Sequence, residues 1–354
     1  MKQFNDITII GIDQGYGNMK TANTIFPTAI TAYDTAPMFK GDVLEYGGRF
    51  YRVGEGHKGF VADKSEDGDF YLLTPAAIAK ELEQYRLFTA NLCLAVGLPL
   101  SWVGSQRESF RQYLMQNETV SFRFNGNPFQ LRIVSCKVYP QGYAAIVQQL
   151  ADFEGEHLLA DIGNGTMNLL YLTDSQPQEN RCWTEKIGVN QCMIRAKEAV
   201  LRRFGSKISD STVEQVLRTG TAKIDIDYLA CIREVAASYA AELFAALRSY
   251  EYDPATTHLT IVGGGGQLIK HFGSYDPEQV TIVDDICAAA KGYEYMAYRQ
   301  MLRGENRAGG TDDQSAVQPW QRIAAESVAV FADDGQISVQ VVQPSGCHGS
   351  GGLL

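Results

Sequence analysis

Nowhere in these 354 residues is there an apolar run approaching the roughly 20 residues that cross a bilayer, which excludes a membrane-spanning helix. The first apolar run, residues 7–12, is too short for the apolar region of a secretory signal and is flanked by Asp6 and Asp13. Positive charge is short as well: 31 Lys and Arg against 41 Asp and Glu leave a formal net charge of −10. A surface of that sign repels nucleic acid and anionic lipid, so neither direct DNA binding nor membrane binding is expected. There are five histidines (His57, His157, His258, His271 and His348), none in a triad-like setting with Ser or Cys. The seven cysteines are dispersed, with no C-x-x-C pair and no spacing that suits a metal. They read as reduced core thiols, and the expected location is cytoplasmic.

Hydrophobic residues make up 45% of the chain, enough at this length for a large core and one to three domains. Strand-like runs fall at residues 45–53, 91–98, 119–124, 130–138, 157–162, 168–173 and 258–262. Helical spacing of apolar residues is clearest over 74–87, 106–116, 141–153, 190–204, 210–218, 228–249 and 284–303. Alternating hairpins and helices predict an α/β architecture with helices flanking the sheets. From 304 the composition turns to Gly, Asp, Asn and Ser, so 304–318 reads as a linker. Beyond it a short helix at 320–331, a strand at 336–342 and a structureless end are expected, and 304–354 as a whole reads as a disordered tail.

One internal echo organises the chain. Ile-Gly-Ile-Asp-Gln-Gly-Tyr-Gly-Asn at 10–18 is answered by Leu-Ala-Asp-Ile-Gly-Asn-Gly-Thr at 159–166. Each is a buried strand ending in Asp, then a turn with glycines at the second and fourth positions after it. The pattern suggests two related halves facing each other, each presenting the same loop.

In the first loop Gly15 and Gly17, with Tyr16 between them, let the backbone turn tightly and bring N–H groups close to an anion. Asn18 adds an amide and Lys20 a charge that can reach a phosphate. Asp13 suits a magnesium ion that keeps much of its hydration. The loop reads equally as a plain hairpin turn. In the second loop Asp161, Gly163, Asn164, Gly165 and Thr166 repeat the arrangement, with Asn-Gly signalling a type I′ hairpin that can still face a phosphate. Gly263, Gly264, Gly265 and Gly266 join a strand to a helix-compatible stretch, where a flat base and ribose can lie on bare backbone; a linker is the alternative. In Tyr-Pro-Gln-Gly-Tyr-Ala-Ala at 139–145, Pro140 can open a helix whose first turn holds Gln141, a side chain able to orient an attacking water.

Taken in order, these segments resemble the superfamily of actins, sugar kinases and heat-shock chaperone ATPases. The Asp13 and Asp161 loops match its two phosphate motifs, Pro140 and Gln141 its first connecting helix, and Gly263 to Gly266 its adenosine motif. Ala-Ala-Lys-Gly-Tyr-Glu at 289–294 matches the second connecting helix, whose glycine permits a close helix crossing. Within the superfamily the chain looks most like the ParM/StbA group of plasmid-segregation actins, on Ala-Val-Gly-Leu-Pro-Leu-Ser at 95–101 and the hairpin at 46–54.

The resemblance implies an actin-like (ribonuclease H-like) two-domain α/β fold with nucleotide in the interdomain cleft. Domain I would be 1–145 plus a returning helix at 284–303, and domain II 146–283. Lys20 would contact the β-phosphate, Asp13 and Asp161 would bind Mg2+ through waters, and Gln141 would position the hydrolytic water. Gly188 matches the turn near the ribose, and Glu214 and Arg218 are candidates for flanking the base. ATP, with GTP also possible, would drive self-assembly into filaments that segregate plasmid or mobile-element DNA through a ParR-like DNA-binding adaptor.

Two other readings share the fold. A small-molecule kinase would need polar acceptor-binding residues, and no Asp/Asn cluster follows Gly97. A chaperone-like or regulatory ATPase of the heat-shock type would need a folded substrate domain after the nucleotide module, which some fifty low-complexity residues do not supply.

Overall fold

A computed structural model of the chain describes residues 1–38, 41–55, 64 and 67–309. The elements run β1 (Lys2–Phe4), β2 (Ile7–Gln14), β3 (Asn18–Lys20), β4 (Ile25–Pro27), β5 (Ile30–Tyr33), β6 (Val43–Tyr46), β7 (Arg49–Val53) and α1 (Gly68–Glu83). Next come β8 (Thr89–Leu98), α2 (Leu100–Leu114), β9 (Thr119–Phe124), β10 (Asn127–Pro140) and the single turn α3 (Tyr143–Ile146). The second half holds β11 (Glu156–Ile162), β12 (Met167–Thr173), β13 (Gln176–Glu185), α4 (Val189–Phe204), α5 (Asp210–Thr219) and α6 (Ile226–Ser249). It closes with β14 (His258–Val262), α7 (Gly265–Phe272), β15 (Val280–Ile282) and α8 (Ala288–Gly309).

Two sheets result. One orders its strands β4-β3-β2-β8-β10 and continues through β9-β6-β7-β5, with β1 beside β2; the other is β13-β12-β11-β14-β15. The first block of one and the whole of the other are the same pattern. Three antiparallel strands are followed by two parallel ones, so β2 corresponds to β11. The sequence echo between the Asp13 and Asp161 loops is the visible trace of this repeat.

Both central strands are apolar without alternation because both faces of each sheet are covered. Ile10 and Ile12 of β2, with Leu92, Leu94 and Val96 of β8, pack against α1 through Phe70, Leu73 and Ala77. Ile9, Cys93 and Ala95 face the other way, where Tyr143, Ala144, Tyr293 and Ala297 meet Leu159, Leu170 and Leu172 of the second sheet. α3 and α8 therefore lie between the sheets, and one apolar cluster spans the two halves. The rest of the second sheet is covered by α4, α5, α6 and α7.

α8 is held tightly. A Cβ at Gly11 would sit 1.9 Å from the Ala290 carbonyl oxygen, and one at Gly292 would sit 1.8 Å from that of Ala144. The Gly11 amide donates to Glu294 across this contact at 3.1 Å. The close crossing expected at Gly292 is thus present.

Several sequence expectations need correcting. The helix expected over 141–153 is only α3 followed by a 3-10 turn at Leu150–Asp152. Pro140 ends β10 and does not open a helix, because Gly142 adopts φ 76° and breaks the chain direction after Gln141. The Asn164-Gly165 hairpin is not type I′, since neither residue has a positive φ. α8 begins at Ala288 and runs on through Gly304 to Gly309, so the linker does not start at 304. The remaining expectations for the tail, 310–354, lie outside the described residues. Among the described residues no helix is long and apolar enough to cross a membrane.

Candidate functional site: a cleft between two aspartate hairpins

β2 and β3 form the first hairpin, pairing Asp13 with Lys20 and Gln14 with Met19. Three hydrogen bonds from Thr28 and Lys64 brace its turn. The Thr28 hydroxyl donates to the Gly15 carbonyl at 2.6 Å, the Thr28 amide to the Gly17 carbonyl at 3.0 Å, and Lys64 Nζ to the Gln14 carbonyl at 2.6 Å. The Gln14 amide donates to Thr74 Oγ1 at 2.7 Å, and the Tyr16 ring packs edge-on against Phe70.

β11 and β12 form the second, pairing Asp161 with Asn168; the Gly163 amide donates to the Thr166 carbonyl at 2.8 Å. Its carbonyls cap α4, taking the Val189 amide on Gly163 at 3.1 Å and the Asn190 amide on Asn164 at 2.9 Å. This contact explains Gly188, where a Cβ would lie 2.4 Å from the Asn164 carbonyl oxygen.

The two hairpins meet. A Cβ on Gly17 would come within 3.0 Å of the Asn164 side chain, so the loops from opposite halves are in contact. Lys20 Nζ donates to Asp13 Oδ2 at 2.9 Å, and Gln141 Nε2 reaches Asp13 Oδ1 at 3.4 Å and the Gly97 carbonyl at 3.5 Å. Asp161 is hemmed by backbone: a Cβ would lie 3.0 Å from its own Cβ at Gly142, and 2.7 Å from its Oδ1 at Gly263, which adopts φ 85°.

Two carboxylates, Asp13 and Asp161, share the site with two ammonium groups, Lys20 and Lys64. Burial, reinforced by the Asp13 charge, pushes the Asp161 carboxyl up to about 7, against the opposing pull of Lys20 and a hydrogen bond from Asn168. Burial works against the Lys20 ammonium, yet the charge and hydrogen bond of Asp13 outweigh it and raise the group above its ordinary value. Lys64 is brought down to about 8 by burial and, secondarily, by Lys20, with Asp13 acting in the opposite sense.

The four glycines after β14 do different jobs. A Cβ at Gly265 would strike Ile162 at 2.2 Å and one at Gly266 would press on Ile282 at 3.0 Å, so these two seat α7 against the sheet. Gly264 alone of the run has open space beside it. Asn18 follows the first turn as the first residue of β3, Thr166 ends the second turn just before β12, and Gly165 shares that turn with Asn164. Glu214 and Arg218 lie on the exposed face of α5, which packs on α7.

Sequence reasoning missed four contributors. Lys64 is buried with its ammonium over the Tyr16 ring, 5.2 Å from the centroid. Asn168, Thr184 and Ser101 form a relay: Ser101 Oγ donates to Thr184 Oγ1 at 2.8 Å, which donates to Asn168 Oδ1 at 2.8 Å. With its oxygen so engaged, Asn168 turns its amide N–H groups to Asp161. The relay begins on α2 in one half and ends at a carboxylate in the other. The cross-strand pairing of Asn168 with Asp161 was the one signal available beforehand.

Two facing Asp-ended hairpins, an interleaved pair of helices and the duplicated strand order define the actin-like fold, and residues 11–143 match the family model described as the N terminal domain of actin like proteins. No curated protein matches the sequence. Among solved structures, an archaeal actin homolog, Ta0583, is similar at a TM-score of 0.68 and 20% identity, covering 82% of this chain and 99% of that one. Its complex with ADP gives a TM-score of 0.65 at 20% identity, over 82% of this chain and 99% of that one. The apo psk41 ParM protein gives 0.61 at 15% identity, over 85% and 99% of the two chains. The Alp12 filament structure gives 0.60 at 16% identity, over 84% and 99%. These likenesses establish the fold.

Proposed function

We propose that this chain is a nucleotide-hydrolysing, filament-forming actin-like protein. The observation that carries the reading is the convergence of Asp13, Lys20, Gln141 and Asp161 where hairpins from two halves touch. A triphosphate bridging the hairpins would find Lys20 for its β-phosphate and the turn of Gly15, Tyr16, Gly17 and Asn18 on one side. On the other lies the turn of Gly163, Asn164, Gly165 and Thr166. The ribose would lie by Gly188 and the base at the open backbone of Gly264, within the run of Gly263 to Gly266.

Magnesium fits the donor set. Buried Asp13 and half-buried Asp161 share the site, and among the described residues no cluster of three or more His, Cys, Asp or Glu offers a full protein cage. Mg2+ bound with nucleotide needs only one or two carboxylates, and Asp13 and Asp161 would hold it through water. Its contribution there is to neutralise phosphate charge. Gln141, able to donate and accept, would orient the attacking water. Loss of the γ-phosphate would remove a bridge between the hairpins and loosen the cleft, weakening polymer contacts.

We assign residues 1–145 with 284–303 to domain I and 146–283 to domain II, each built on one copy of the repeated strand order. The ADP complex of the archaeal homolog and the filament formed by Alp12 support nucleotide binding and self-assembly. The likeness to ParM supports segregation of plasmid or mobile-element DNA in the cytoplasm. With a net charge of −10, the link to DNA would run through a ParR-like adaptor.

The test is right-angle light scattering with parallel phosphate release after adding Mg-ATP or Mg-GTP. Scattering that rises with triphosphate and decays as phosphate appears supports the reading. Phosphate release with no scattering at any protein concentration leaves a regulatory ATPase or a kinase lacking its acceptor.

A further inference from the structure

Tyr293 is fully buried on α8, and its hydroxyl has no hydrogen-bond partner among the described residues. Leaving a buried phenol O–H unpaired is costly, so an orphaned hydroxyl of this kind signals an unseen partner. Its surroundings say what that partner is. The oxygen lies against Gly97, where an added Cβ would be 1.9 Å from it and 3.0 Å from Gln141 Cγ. The hydroxyl and the Gln141 side chain therefore both lie against Gly97 at the end of β8, with Gln141 Nε2 3.5 Å from the Gly97 carbonyl. Asp13 and Asp161 are both close enough for their charges to hold the phenol protonated, beyond what burial does. The ring is fixed by stacking on Tyr139, with centroids 6.3 Å apart and planes 12° apart. A rigid, neutral O–H is thus presented beside the site's carboxylates and its glutamine.

We infer that Tyr293 is a second water-positioning residue, donating its hydroxyl to the water that Gln141 orients. The inference rests on the hydrolase reading above. In the step, the water oxygen bonds to the γ-phosphorus and the bond from that phosphorus to the bridging oxygen breaks. The bridging oxygen keeps the electron pair on the diphosphate, the water's protons pass to phosphate and solvent, and Tyr293 retains its own. Gly97 has no room for a side chain here, since an added Cβ would lie 1.9 Å from the hydroxyl oxygen.

The experiment is steady-state phosphate release by Tyr293→Phe, which removes one oxygen. Expected is a fall in kcat of about tenfold, the scale of one hydrogen bond lost from the transition state, with KM and ADP affinity unchanged. Thermal stability should hold or rise, since the lost group had no protein partner. Tyr139→Phe is the control: its hydroxyl donates to Gln300 Oε1 at 3.1 Å, so it should lose stability and keep kcat. A Tyr293→Phe protein with wild-type kcat overturns the inference, as does one whose loss lies wholly in KM. A wild-type chain that releases no phosphate defeats the hydrolase reading itself, which is a separate outcome.

Discussion

Replacing Gly292 by Ala puts a methyl group where α8 crosses α3. The new Cβ would lie 1.8 Å from the Ala144 carbonyl oxygen and 2.5 Å from its carbonyl carbon, both backbone atoms that no rotamer change can move. Nor can α8 retreat, because Gly11 already brings β2 against the Ala290 carbonyl on its opposite side, with 1.9 Å to an added Cβ. Helix propensity works the other way: Ala is better than Gly inside a helix by about 1 kcal/mol. Overpacking commonly costs about 1–3 kcal/mol, and a backbone collision pinned from two sides belongs at or above the upper end. The net expectation is a loss of about 2 kcal/mol, read as a lower urea midpoint with an unchanged slope. Gly304→Ala supplies the matched control, since it lies on the same helix with nothing within 4 Å of the added Cβ. That variant should gain up to about 1 kcal/mol. If Gly292→Ala unfolds at or above the wild-type midpoint while Gly304→Ala behaves as described, the crossing does not constrain the helix and the reasoning fails.

Three further outcomes are expected. Gln141→Ala should slow phosphate release by about tenfold or more while nucleotide binding, followed by fluorescent-nucleotide titration, stays within twofold; unchanged turnover would remove Gln141 from the water site. Asp161→Ala should impair both magnesium-dependent nucleotide binding and turnover, and normal hydrolysis in this variant would dissolve its assignment. The third concerns the His157 and His258 rings, which lie 5.1 Å apart at the starts of β11 and β14. Burial is the main cause holding both below the ordinary 6.5, with His157 a second cause for His258. Their contribution to stability is therefore complete above the unfolded value near 6.5 and is lost as pH falls through the lower folded values. Melting temperatures at pH 7 and pH 5 should fall further for the wild type than for a His157→Gln, His258→Gln double variant. Equal falls would refute the assignment.

What could be read in advance was whatever local chemistry alone decides. β14 begins and ends as its β-branched run suggested, and the Asp13 and Asp161 strands were legible because strands covered on both faces carry unbroken apolar runs. The glycines after them marked hairpin turns, but for an incomplete reason. At Gly17, Gly188 and Gly265 the requirement is another segment's close approach, which no local turn rule contains. The same gap explains the failure over 141–153, where helical spacing was real but Gly142 at φ 76° turned the chain and left one helical turn between two sheets. Lys64 gave no signal, because a lysine is buried only if a distant backbone carbonyl receives it, and that partner, Gln14, lies 50 residues earlier. Tyr293 is the sharper case. Beside Gly292 it reads as core filler, and its ring does fill the core against Tyr139. Only the fold shows that its hydroxyl, still buried, lies against Gly97 where the Gln141 side chain also packs. A residue can thus satisfy the pattern of a core position with one end and serve a site with the other, and sequence periodicity records only the first.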